Sequence, residues 1–155
     1  MTYLVPFNLA MPPDEQVNFR AMILRDESDI PDDSYQFQEW YCPNPSCDCF
    51  QGLLEVVAIQ QKSIAAQVYV PFDPSLTPFL APKSTITPIA LALLEVISQH
   101  LREDPAYLKR LRDHYWLVRS VAIDKKHPRH TALIEYGSKG AKRSGRKKRS
   151  ARTLP

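Results

Sequence analysis

Glycine is scarce in this chain, at 4 of 155 residues, and three of the four fall after position 136. That scarcity excludes the glycine fingerprints and phosphate loops that let a backbone wrap a nucleotide. A nucleophile elbow and a paired-histidine metal motif are missing as well. No apolar run approaches the roughly 20 residues that cross a bilayer. The N-terminal "MTYLVPFNLAMPPDEQ" lacks the basic start and long apolar stretch of a signal peptide. The expectation is a cytoplasmic protein with no membrane span. In a reducing compartment, clustered thiols point to metal or redox chemistry rather than to disulfides. No internal repeat is present.

What remains suits one globular domain: 44% apolar and 24% charged residues over a length that fits one core better than two. The net charge of +3 conceals a segregation. Residues 1–124 carry 9 Lys/Arg against 16 Asp/Glu, whereas residues 125–155 carry 11 against a single Glu. The reading is a domain over 1–136 and a basic tail over 137–155. The tail has Leu154 as its only large apolar side chain, too little to offset the entropy of ordering, so it is expected to be disordered when free.

The expected fold class is α+β. Residues 35–42, 53–60 and 63–70 read as strands, the first alternating and the others rich in β-branched residues. Their short links favour an antiparallel meander. Two helices follow, over 87–104 and 104–120, each opened by a capping residue and a proline: Thr87-Pro88 and Asp104-Pro105. Ile89, Leu93, Ile97 and Leu101 mark the apolar stripe of the first; Leu108, Leu111, Tyr115 and Val118 mark that of the second. The sequence thus predicts a small antiparallel sheet of three to four strands with both helices packed on one face. Residues 3–30 lean to strand. The proline-rich 71–88 reads as a stiff connector laying Phe72, Leu76, Phe79 and Leu80 across the core.

All three cysteines lie in one turn, "YCPNPSCDCF", at Cys42, Cys47 and Cys49. Three thiolates converging from a proline-stiffened turn suit a small tetrahedral metal site, with Zn2+ the expected structural ion. Asn44 and Ser46 suit turn positions, and Asp48 is placed to support the loop. A redox pair is disfavoured because Cys47-x-Cys49 would close a strained ring. A fourth ligand must be histidine, carboxylate or water. His114 is best placed, three residues after Leu111 and four before Val118, and so facing inward. His100, His127 and His130 are weaker candidates. The bland alternatives are buried inert cysteines and a hydrogen-bonded core histidine.

Two stretches together, "YCPNPSCDC" and "DPAYLKRLRDHYWLVR", resemble a family of uncharacterised bacterial proteins that combine a YC-x-NP-x-CDC turn with a DP-x-Y-x-x-R-L-x-x-HY helix. Cys42, Cys47 and Cys49 match the first motif; Asp104, Pro105, Tyr107, Arg110, Leu111, His114 and Tyr115 match the second. The resemblance covers roughly residues 35–119. It implies a bacterial cytosolic protein with a metal-binding turn, pairs His114 with the cysteines in one pattern, and supplies no reaction.

The tail offers Lys139, Lys142, Arg143, Arg146, Lys147, Lys148, Arg149 and Arg152 with no acid among them. Such a segment attracts phosphate backbones by counterion release, which is sequence-independent and salt-sensitive. Without an aromatic residue it has no base-stacking group. Three readings follow for the whole protein. The foremost is a non-catalytic, zinc-stabilised domain contacting DNA or RNA through its tail. The next is a protein-interaction or regulatory module using Trp116 or Trp40. The last is a small zinc-dependent hydrolase with water on the metal.

Overall fold

The computed structural model describes residues 3–82 and 86–138. The fold is α+β, built on an antiparallel sheet that is larger than the sequence predicts. Strands β3 (Asp33–Tyr41), β4 (Gln51–Ala58) and β5 (Ser63–Pro71) form the expected meander. Three shorter strands enlarge it. Strands β1 (Val5–Pro6) and β2 (Ala21–Leu24) both pair with β3, and β6 (Phe79–Leu80) pairs with β5 at the opposite edge. The sheet therefore has six strands rather than three or four. Within 3–30, which leans to strand by sequence, only β1 and β2 are strand, and Phe7–Ala10 is a 3-10 turn; β6, at two residues, is too short to show a period of two above background.

The alternation in β3 is complete: Tyr35, Phe37, Glu39 and Tyr41 are buried, and Gln36, Gln38 and Trp40 are half-buried on the other face. The buried row continues through Leu54 and Val56 of β4 and Ala66, Val68 and Val70 of β5. Helices α1 (Pro88–Glu103) and α2 (Pro105–Ile123) cover it from one side with Ala90, Leu93, Ile97 and Leu101, then Tyr107, Leu111, Tyr115 and Val118. Both helix starts obey the sequence signal. Thr87 Oγ1 accepts from Ala90 N–H at 3.0 Å, and Asp104 Oδ1 from Tyr107 N–H at 3.3 Å. Thr87→Ala should lower unfolding free energy by about 1 kcal/mol, the usual worth of an N-cap hydroxyl. Urea denaturation would check this, and an unchanged midpoint would deny the cap that role.

Two expectations need correction. Of the four connector side chains expected on the core, Phe72 is buried in it and Leu80 packs against it, whereas Leu76 is 58% exposed and Phe79 39%; Phe79 and Leu80 form β6. Helical backbone also runs over 130–138, beyond the expected end of the domain at 136. Gly137 is buried there against the Tyr3 ring, where an added Cβ would collide with it. The basic residues from Lys139 to Arg152 lie outside the described residues. Among the described residues, no helix is long and apolar enough to cross a membrane.

Candidate metal centre

The cysteine turn joins β3 to β4. Its shape follows from Asn44, whose side-chain oxygen accepts from Ser46 N–H at 3.0 Å while its carbonyl accepts from Cys47 N–H at 3.1 Å. These local bonds make an asparagine turn, the role its residue type suggests. Cys42 is buried, and Cys47 and Cys49 are partly exposed. Just beyond, Gly52 lets the Tyr41 ring approach the backbone: a Cβ there would sit 2.8 Å from Tyr41 Cε1.

The three Sγ atoms lie within 4.8 Å of one another. Three sulfurs bound to one tetrahedral zinc at about 2.3 Å would be roughly 3.8 Å apart, so the triad could close on a single ion with little movement. The thiols also affect one another's ionisation. Hydrogen bonds from the Cys49 backbone and side chain hold Cys47 below its ordinary range, despite a smaller opposing effect of burial. Burial, and then the contact with Cys47, pushes Cys49 up to about 12. Burial likewise raises Cys42. Cys47 is therefore the most easily ionised of the three, and a bound cation would favour thiolate at all of them.

Helix α2 grips this turn through two side chains that sequence reading did not single out for it. Tyr115 donates its hydroxyl hydrogen bond to the Cys49 carbonyl. Arg119, only 7% exposed, donates to the Cys47 carbonyl at 2.7 Å and to the Cys49 carbonyl at 3.4 Å, with the same nitrogen 3.4 Å from Cys49 Sγ. Its guanidinium also lies 4.4 Å from the Tyr115 ring centroid. The available signal was an arginine one turn after Tyr115, on the edge of the apolar face. A charged residue in that position is usually exposed, and its burial is visible only once the turn is packed beneath it.

His114 faces inward as its spacing predicts, but it is not part of the sulfur group. Its Nδ1 is 2.6 Å from Glu39 Oε1, and its ring stacks on Phe7 with centroids 3.8 Å apart. Glu39 has no exposed side-chain surface and also accepts from the Tyr41 hydroxyl at 2.6 Å. Burial, and then the Glu39 charge, raises the Tyr41 hydroxyl far above its ordinary range. The remaining histidines are engaged elsewhere: His100 with Arg20, His127 with the Arg129 N–H, and His130 with the Val121 carbonyl. Asp48 is exposed on the turn.

No protein-family model, curated protein or solved structure matches the chain. The two motifs behind the bacterial-family resemblance do meet in space, since Tyr115 of the helix donates to the Cys49 carbonyl of the turn.

Proposed function

We propose that this chain is a non-catalytic binding module stabilised by one structural Zn2+ on Cys42, Cys47 and Cys49, and that it contacts DNA or RNA through the basic residues Lys139 to Arg152. The observation that carries the metal reading is the convergence of three sulfurs within 4.8 Å on a turn clamped by α2. The nucleic-acid reading rests on charge: an acidic body would repel a polyanion that a tail of eight basic residues attracts, so contact is confined to the tail.

A second reading has its own support. Trp116 is 53% exposed and packs against Phe50, itself 38% exposed, with ring centroids 6.0 Å apart. This aromatic pair flanks the cysteine turn and suits a protein-interaction face.

One set of proteins tests both. Native mass spectrometry on protein purified without added metal should find one zinc per chain, absent from Cys47→Ser. Fluorescence anisotropy with a labelled oligonucleotide should show salt-sensitive binding that disappears when 139–155 is deleted and persists in Trp116→Ala. Metal-free wild type would overturn the zinc centre. Binding indifferent to the deletion would overturn the tail reading, and loss in Trp116→Ala alone would favour the aromatic face.

A further inference from the structure

A zinc thiolate site that serves only structure is usually closed by four protein ligands. The described residues supply three. Among the described residues, the group of cysteine, histidine, aspartate and glutamate ligand atoms that could share one ion consists of the three cysteines. The remaining positions, 1–2, 83–85 and 139–155, contain none of these four residue types. The best sequence candidate is held elsewhere: the His114 ring is stacked on Phe7, with Nδ1 on a carboxylate that has no exposed side-chain surface.

The surroundings of the triad also bear on what could complete it. Cys42 is buried, but Cys47 and Cys49 are partly exposed and Asn44, Pro45, Ser46 and Asp48 around them are exposed, so the triad has a solvent-facing side. Charge decides which ligand suits. A divalent ion on three thiolates carries one net negative charge, which would repel an anion. Arg119, buried and 3.4 Å from Cys49 Sγ, cancels that charge at short range.

From these contacts we propose that the cysteine triad is an open metal centre, whose fourth position is left to solvent and accepts a small anionic Lewis base from outside the chain, admitted by the charge of Arg119. The inference rests on the metal reading above and gives the site a ligand class. The closed alternative, with His114 as fourth ligand, would require its ring to leave Phe7 and Glu39.

The test uses full-length protein loaded with Co2+, whose visible absorption reports the ligands around it. Titration with thiocyanate should shift the spectrum saturably, and with more effect per mole than neutral imidazole. His114→Gln should give the wild-type spectrum before any addition and the same titration. A spectrum unmoved by either probe would overturn the open site while leaving the metal reading intact. A changed starting spectrum in His114→Gln would overturn it in favour of histidine ligation. Imidazole binding without thiocyanate binding would overturn the anion preference. Absence of any cobalt–thiolate absorption would overturn the metal reading itself, a separate and distinguishable result.

Discussion

Chelation should lower the melting temperature of the wild-type protein by roughly 10 °C and leave Cys47→Ser where it was. An ion bound only by the folded state stabilises it by about 4 kcal/mol when present at a thousand times its dissociation constant. Each kcal/mol shifts melting by about 2–4 °C in a domain of this size. The effect should be local before it is global. Cys42 directly follows β3, Cys49 nearly abuts β4, and their loop is joined to α2 through Tyr115 and Arg119. Loss of the ion should therefore loosen the β3–β4 hairpin end and the middle of α2 together. Hydrogen exchange would show this as coordinated loss of protection at Trp40, Gln51 and the Tyr115–Arg119 turn. Wild-type melting curves that superimpose with and without chelator would remove the metal from the stability of the fold.

The other large effect concerns Glu39 and His114. Glu39→Leu should destabilise the metal-loaded protein by about 3 kcal/mol or more, as does removing one member of a buried hydrogen-bonded pair. The variant strips the Tyr41 hydroxyl and His114 Nδ1 of the oxygen both contact at 2.6 Å. His114→Leu should also be costly, since it leaves a fully buried carboxylate with Tyr41 as its neighbour. Replacing both by leucine should cost less than the sum of the two, by about 1–3 kcal/mol, because neither an unpaired carboxylate nor an unpaired imidazole remains and only the Tyr41 hydroxyl still lacks its acceptor. Urea unfolding of the four proteins gives the cycle. Strict additivity would mean that the pair contributes nothing as a pair, whatever its geometry.

How much of this was legible in the sequence varies by element. The long regular pieces were, since a nine-residue alternation or a sixteen-residue apolar stripe repeats its period often enough to stand out; this holds for β3 and α1. The helix starts were legible for another reason: Thr87-Pro88 and Asp104-Pro105 act through bonds to residues three positions away, which need no distant partner. The cysteine turn belongs with them, because sulfurs five and two positions apart on a proline-stiffened loop can approach one another by local geometry alone.

What only the tertiary structure decided depends on partners remote in the chain. Strands β1 and β6 exist because β3 and β5 offer edges to pair with, 34 or more positions away for β1, and their own two residues carry no periodic signal. The fate of His114 was decided by Glu39, 75 residues distant: the spacing on α2 turns the ring inward, but only the packed sheet supplies the carboxylate it meets. Arg119 is the sharpest case. As sequence it is one more basic residue on an ordinary helix. In the fold it is buried over the turn, 72 positions from the Cys47 carbonyl it holds. Local bonds and periodicities can be read from one stretch of chain, whereas the burial of a charge is set by what two distant stretches do to each other.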